Sequence, residues 1–119
     1  MSYKFRAWDK IHHEMYEWEI VKSEFTMSDF ENVDLLMMQF TGLTDVNGIE
    51  ICEGDIVSLQ NPFDLINYKS LIIFKDGGFC AIDGTEENYA VRRYRLSDSD
   101  LEITVLGNIY QDEHLLKEN

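Results

Sequence analysis

The chain has 119 residues, 45% of them hydrophobic and 13% aromatic, which is enough apolar material to fold around a core without a metal or disulfide. Its 10 Lys and Arg stand against 23 Asp and Glu, and the net charge of −13 disfavours binding to nucleic acids or anionic membranes. With no apolar run long enough to span a membrane and no leader-like start, the chain is predicted to be one cytoplasmic domain, residues 1–119.

The first predicted element is an N-terminal β-hairpin. Residues 3–8 alternate along a predicted strand, with Tyr3, Phe5 and Ala7 on one side. A second alternating run has the pattern of a half-buried strand, with its apolar members on one face: Tyr16, Trp18 and Ile20. Glu17 and Glu19 of that run are predicted to face Lys4 and Arg6 across the strand pair. The polar residues 22–33 predict an irregular connection.

Short apolar runs separated by turns dominate the middle of the chain. Leu35–Phe40 fits a strand or a helix turn by its length, and a strand is favoured because turn residues follow soon after it. Asp45-Val46-Asn47-Gly48 is the clearest turn, with Asn47 and Gly48 at positions where positive φ is tolerated. Gly54 is predicted to bend the chain into the next strand.

The second half of the chain also consists mainly of short apolar runs separated by turns. Four apolar runs predict strands: 56–59, 71–74, 79–82 and 103–106. Residues 76–78 predict a hairpin turn, and residues 89–96 fit either a helix or a strand. Residues 112–117 predict one helical turn with Asp112 as its N-cap. Together these elements predict a mainly-β fold, a small partly open β-barrel with an N-terminal β-hairpin and a short C-terminal helical turn.

Three segments carry a resemblance to a known family: Lys4–Asp9, Gln39–Val57 and Leu106–Tyr110. Because these segments occur in this order and with this spacing, the chain resembles the YopX-like family of phage and prophage proteins. The resemblance implies a mainly-β fold, a phage or prophage origin and a cytoplasmic life in an infected bacterium. It implies no biochemical activity, so it assigns no functional residues.

Candidate metal and cofactor sites have simpler explanations. Gly48 follows Asp45 too closely for a calcium-binding EF-hand loop, so a β-turn is expected there. His12 and His13 are adjacent and would point to opposite faces of a strand, so they are predicted to be exposed turn residues. His114 could act as an acid or base, but nothing fixes a substrate beside it. No metal or cofactor is predicted.

The sequence signals for catalytic residues are equally weak. Cys52 and Cys80 lie in apolar runs and are predicted to pack as small apolar side chains. Glu53 and Asp55 flank Gly54, and a paired-carboxylate hydrolase site is less favoured than a tight bend with side-chain-to-backbone hydrogen bonds. No nucleophile elbow, phosphate loop or zinc-protease motif is present, so the protein is predicted not to be an enzyme.

One short segment concentrates positive charge beside aromatic residues. The residues predicted to contact a polyanion or a partner are Tyr89, Arg92, Arg93, Tyr94 and Arg95. Arginine and aromatic side chains together suit contacts with phosphates and bases. The favoured interpretation is that these arginines pair with the surplus carboxylates, because the net charge opposes polyanion binding.

These observations lead to two hypotheses of function. The first is a non-enzymatic phage accessory protein that binds a protein partner through an acidic surface or a sheet edge, with a DNA mimic as a special case. The alternative is a small-barrel nucleic-acid-binding protein that uses Arg92, Arg93 and Arg95. Homo-oligomerisation through an exposed strand edge stays open.

Overall fold

The computed structural model describes residues 3–60, 67–83, 93–95 and 102–117. The chain divides into two compact units, Met1–Phe40 and Thr41–Asn119. Its two sheets are antiparallel, and one curls into a half-barrel, which confirms the predicted mainly-β fold. Among the described residues, no helix combines the length and apolar character needed to cross a membrane.

Unit 1 is built on a small antiparallel sheet. Its described elements are β1 (Phe5–Asp9), β2 (Glu14–Tyr16), α1 (Trp18–Glu24), α2 (Met27–Phe30) and the first part of β3 (Leu35–Thr44). β1 lies between β2 and β3, with Ala7 opposite both Tyr16 and Met37. The predicted hairpin and the predicted strand at Leu35–Phe40 are therefore confirmed.

The first strand is buried on both faces rather than on one. Arg6, Ala7, Trp8 and Asp9 are all buried, since β1 is central in unit 1 and α1 packs against it. The Arg6 guanidinium lies 6.0 Å from the centre of the Phe40 ring, a cation–π contact. The alternation of residues 3–8 therefore does not leave one face of this strand exposed.

Strand β2 ends at Tyr16, and helix α1 occupies most of the segment 16–20 that was predicted to be the second strand. Trp18, Val21 and Phe25 are three and four residues apart, so a helix brings them to one side. Val21 is the buried residue of α1. Ile20 is left 41% exposed. Glu19 lies in the first turn of α1, so the predicted cross-strand pairing of Glu17 and Glu19 with Lys4 and Arg6 was wrong.

A second short helix stands where an irregular connection was predicted. α2 begins after Thr26, whose backbone N–H donates to the Asp29 carboxylate at 2.7 Å in a capping box. The ring of Phe30 meets that of Phe5 edge-on at 5.9 Å. The polar composition of residues 22–33 gave no sign of a helix, but the capping box between Thr26 and Asp29 stabilises one there.

Unit 2 is built on a five-stranded antiparallel sheet. Its described elements are β4 (Glu50–Cys52), β5 (Asp55–Gln60), β6 (Asn67–Lys75), β7 (Gly78–Asp83), β8 (Arg93–Arg95), β9 (Glu102–Asn108) and α3 (His114–Lys117). The sheet order is β8-β7-β6-β5-β9, while β4 lies beside the end of β3. The four strands predicted in this half and the short C-terminal helix are confirmed.

The sheet is apolar on both faces, which explains the continuous apolar runs. Val57 and Leu59 face one buried cluster, whose other buried members are Ile51, Ile72, Ala81 and Ile103. Ile56 faces a second cluster with Leu71 and Ile82, against which Leu115 and Leu116 of α3 pack. The register shifts between Ile56 and Val57, which face Gly107 and Val105, so β9 carries one extra residue there and forms a β-bulge.

Two predicted turns are confirmed. Gly48 has a φ of +81° and donates its N–H to the Asp45 carbonyl at 3.1 Å, whereas Asn47 keeps a negative φ. Asp76 and Gly77 both have positive φ, 54° and 81°, which is the geometry of a two-residue hairpin between β6 and β7.

The Asp45 turn also protects the outer edge of β9. Val46 donates to the Ile103 carbonyl at 3.0 Å, and Val105 donates to Asp45 Oδ2 at 2.9 Å. Burial alone would raise the pKa of Asp45, but hydrogen bonds from the N–H groups of Val105, Ile49 and Asn47 outweigh it and lower that pKa. The turn therefore occupies hydrogen-bonding groups that an edge strand would otherwise expose.

Asp112 does not cap α3 as predicted. Its carboxylate accepts the Asn108 N–H at 3.1 Å, and the Leu115 N–H instead donates to the Asp112 backbone carbonyl. Gly107 leaves the space that this carboxylate fills, because a Cβ there would lie 2.5 Å from Asp112 Oδ2. The predicted N-cap was therefore wrong.

Candidate functional site

The arginine-rich segment is described only in part. Tyr89 and Arg92 lie outside the described residues. Arg93, Tyr94 and Arg95 form β8, which pairs with β7 through the Ala81–Tyr94 register, and only their backbone is described. The backbone assigns a strand to these three positions. Nucleic-acid binding through this segment, like homo-oligomerisation, stays a prediction.

Asp45 and Asp55, considered from the sequence as calcium and hydrolase candidates, each accept hydrogen bonds from backbone N–H groups. Asp45 accepts three backbone N–H groups in its turn, as described above. Asp55 accepts the Cys52 N–H at 2.8 Å, which confirms the predicted bend stabilised by a side-chain-to-backbone bond. Cys52 and Cys80 are buried thiols, also as predicted.

The candidate site is an open groove in unit 1 with a volume of about 380 Å³. It is bounded by the β1–β2 turn, α1, α2 and the start of β3. The lining consists of four carboxylates, two other polar side chains, two aromatic rings and three aliphatic side chains: Asp9, Glu24, Asp29, Asp34, His12, Asn32, Tyr16, Phe25, Ile11, Ile20 and Leu35. None of the described residues that line it is Lys or Arg.

Asp9 organises one wall of the groove. Its Oδ1 accepts the N–H groups of Ile11 and His12 at 2.9 and 3.0 Å, so the carboxylate closes the β1–β2 turn. Its Oδ2 accepts the Tyr16 hydroxyl at 3.0 Å and contacts His12 Nδ1 at 2.8 Å. The backbone and ring hydrogen bonds from His12 lower the pKa of Asp9 well below its usual range, so the carboxylate stays ionised.

The same carboxylate fixes the His12 ring. An ionised carboxylate can only accept, so Nδ1 of His12 carries the donated proton and Nε2 is the titrating atom. The hydrogen bond to Asp9 raises the pKa of His12 above its ordinary value of 6.5. The His12 side chain is 68% exposed, so it presents Nε2 from an anchored position. The hydrogen bond to Asp9 also raises the pKa of Tyr16 to about 12, which keeps its phenol protonated.

The rest of the lining combines apolar surface with carboxylates. The Phe25 ring meets that of Tyr16 edge-on at 5.7 Å, and Ile11 and Ile20 are 63% and 41% exposed. Within the described part of the chain, the carboxylates of Glu24 and Asp34 have no ion-pair or hydrogen-bond partner. The groove therefore offers negative charge and apolar surface together.

The His12 imidazole, held by a carboxylate, has the arrangement of a general base. None of the described lining residues is a Ser, Thr or Cys that could serve as a nucleophile beside it. No group of three His, Cys, Asp or Glu among the described residues is arranged to hold a metal ion. His12 and His13 lie in the exposed β1–β2 turn, as predicted.

The sequence reasoning missed the Asp9–His12–Tyr16 cluster. In the sequence, Asp9 has no assigned role, and His12 was considered only together with His13. The available signal was an Asp followed by a turn, since such a carboxylate commonly accepts N–H groups two and three residues later. The bond to Tyr16 needed the strand register, which places residue 16 opposite residue 7.

Replacing Asp9 by Asn is expected to lower the pKa of His12 toward its ordinary value, because the charged hydrogen-bond acceptor is lost. An NMR pH titration of the His12 ring would measure the change. Asp34→Asn is the matched control, since that carboxylate lines the groove without bonding His12, and it should shift the titration less. An unchanged His12 titration in Asp9→Asn would contradict the assigned contact.

The fold and the groove define a small antiparallel β-protein with an acidic surface groove. The chain belongs to the YopX protein family, whose model matches residues 20–117. This confirms the resemblance seen in the sequence.

Two solved structures share the fold over nearly the whole chain. Protein EF1440 from Enterococcus faecalis is 26% identical, with a TM-score of 0.62, and the match covers 98% of this chain and 99% of that one. Protein yopX from Bacillus subtilis is 21% identical, with a TM-score of 0.63, and the match covers 95% and 97%. No curated protein gives a significant match.

Proposed function

We propose that this YopX family member is a non-enzymatic interaction protein, and that its groove in unit 1 binds a basic, amphipathic segment of a protein partner. The observation that carries the proposal is the lining of the groove, which includes four carboxylates and exposed apolar side chains, while none of the described lining residues is Lys or Arg. A phage or prophage origin and a cytoplasmic location belong to the same proposal and are supported by the family resemblance.

Charge complementarity favours a cationic occupant. Glu24 and Asp34 are available to a ligand because neither has a partner among the described residues. The net charge of −13 would attract a basic partner from a distance and speed its association. The same charge would repel an acidic segment or a nucleic acid.

The apolar part of the groove favours an amphipathic segment over a purely polar one. Ile11 and Ile20 expose aliphatic surface beside the Tyr16–Phe25 ring pair. Covering such surface removes it from water and supplies affinity that charge alone does not. Aromatic rings also attract cations over their faces, so Lys or Arg side chains next to apolar ones match both features.

The test is a fluorescence anisotropy titration with a short synthetic peptide that combines Arg and Leu, in low salt. The wild-type protein is expected to bind it and to reject matched peptides in which Glu replaces Arg or Ser replaces Leu. In Glu24→Gln/Asp34→Asn the affinity should fall roughly three- to tenfold, because two charges facing the ligand are lost. Ile20→Ser should weaken binding through the lost apolar contact.

Glu102→Gln is the control, since Glu102 is exposed but does not line the groove, and it changes the net charge without changing the site. Its affinity for the peptide should stay close to that of the wild type. Two results would contradict the proposal: no binding of the Arg/Leu peptide in low salt, or equal losses in Glu102→Gln and in the groove variants.

A further inference from the structure

We propose that His12 makes binding in this groove dependent on pH, with a basic partner bound when the imidazole is neutral and released when it is protonated. The inference rests on the proposed function and concerns the regulation of the same site. It is carried by the position of His12, which lines the groove, is largely exposed, and is held by a carboxylate of the groove wall.

The anchoring by Asp9 determines which ring atom responds to pH. Asp9 accepts both the backbone N–H and the ring Nδ1 of His12, at 3.0 and 2.8 Å, and therefore fixes the residue at two points. Because the carboxylate only accepts, Nδ1 keeps its proton in both charge states. Titration then converts Nε2 from an acceptor, which an ammonium or guanidinium group could use, into a charged donor that repels such a group.

Most of the ionisable groups near His12 are carboxylates. Asp9 on β1 and Glu14 on β2 both favour the protonated ring, and the phenol of Tyr16 stays neutral throughout. The other ionisable groups on the groove walls are Glu24 on α1, Asp29 on α2 and Asp34 before β3. An imidazole ordinarily titrates near pH 6.5, so the charge of His12 is the one expected to respond to mildly acidic and neutral solution. Lys10 lies in the same turn but does not line the groove.

The experiment measures the affinity for the Arg/Leu peptide at about pH 8.5 and about pH 5.5, on either side of the imidazole titration. The wild-type protein should bind about fivefold more weakly at the lower pH, since one like charge is added to the contact. His12→Gln should retain binding and lose the pH dependence, because the amide can still donate to Asp9 but cannot charge. His12→Arg should bind weakly at both pH values, and the control His114→Gln should behave like the wild type.

The outcomes separate the inference from the function on which it rests. Equal wild-type affinity at the two pH values, or an unchanged pH dependence in His12→Gln, would overturn the inference and leave the proposed function standing. Absence of peptide binding at both pH values would overturn the two together. An NMR titration of the His12 ring gives an independent readout, because the coupling between peptide binding and proton binding is reciprocal. If the bound peptide disfavours the charged ring, the pKa of His12 must be lower in the complex than in the unbound protein. An unchanged His12 titration in the complex would also overturn the inference.

Discussion

Replacing Asp45 by alanine is expected to lower the free energy of unfolding by about 3 kcal/mol, because three backbone donors lose their acceptor. Asn47 and Ile49 donate to Oδ1 at 2.8 and 2.9 Å, and Val105 donates to Oδ2 at 2.9 Å. Asp45 is only 7% exposed, so water cannot easily replace the carboxylate. The expected loss is a large share of the roughly 5–15 kcal/mol that stabilises a typical domain.

Chemical denaturation followed by circular dichroism would measure this loss. Tryptophan fluorescence would not report on unit 2 directly, because the two tryptophans, Trp8 and Trp18, both belong to unit 1. Amide hydrogen exchange at Val105 supplies a local readout and should become faster in Asp45→Ala. Asn47→Ala is the control, since its side chain is exposed and its change should stay within about 0.5 kcal/mol. Equal stabilities of Asp45→Ala and Asn47→Ala would contradict the role given to the carboxylate.

The lowered pKa of Asp45 also fixes the pH dependence of this contribution. A carboxyl group whose pKa is lower in the folded state stabilises the fold fully above its unfolded value, here 3.8. The contribution is lost as the pH falls from that value through the lowered folded pKa. The difference in stability between the wild type and Asp45→Ala should therefore be constant near neutral pH and shrink below about pH 4.

Gly107→Ala is expected to destabilise the protein by about 2 kcal/mol, which is typical of an extra methyl group forced into a filled space. The added Cβ would lie 2.5, 2.7 and 2.9 Å from Oδ2, Cγ and Cβ of Asp112. That side chain cannot simply swing away, because its carboxylate accepts the Asn108 N–H. The chain would have to move at the end of β9, where Gly107 pairs with Ile56.

A double-mutant comparison distinguishes this clash from the general effect of replacing glycine. Adding Asp112→Gly removes all three close atoms, so Gly107→Ala should cost much less in that background than in the wild type. Gly78→Ala is the matched single control, since nothing lies within 4 Å of its Cβ position, and it should change stability by less than about 0.5 kcal/mol. Equal costs of Gly107→Ala in the two backgrounds would exclude the proposed steric cause. Thermal or chemical denaturation of the wild type, the two single variants, the double variant and Gly78→Ala would measure these costs.

Much of unit 2 could be predicted because its local signals agree. Its strands are short apolar runs rich in β-branched residues, and Gly and Asp mark the turns between them. At Asp76 and Gly77 the turn chemistry and the flanking apolar runs both indicate a hairpin, and β6 and β7 form it. The pairing of β9 with β5 had no local signal, because partners distant in sequence are chosen by the packing of the whole sheet.

Unit 1 was harder to predict because two periodicities coincide over a few residues. Tyr16, Trp18 and Ile20 have the spacing of a strand, whereas Trp18, Val21 and Phe25 have that of a helix. The helix forms because it buries Val21 against the sheet, a tertiary effect that the alternation could not reveal. The groove depends on this helix, since Ile20, Glu24 and Phe25 line it. A strand over residues 16–20 would have hidden the candidate site.

The place of β9 beside β5 also bears on how the nascent chain acquires its structure. Translation delivers β5 and its partner β6 well before β9, so one edge of β5 stays unpaired and Asp45 lacks its donor from Val105 until β9 emerges. Pairing between segments far apart in the chain is slow, and open strand edges invite association with other chains. Nascent chains halted before residue 102 should therefore need chaperone protection and be digested readily by proteases, and this sensitivity should fall once β9 has emerged.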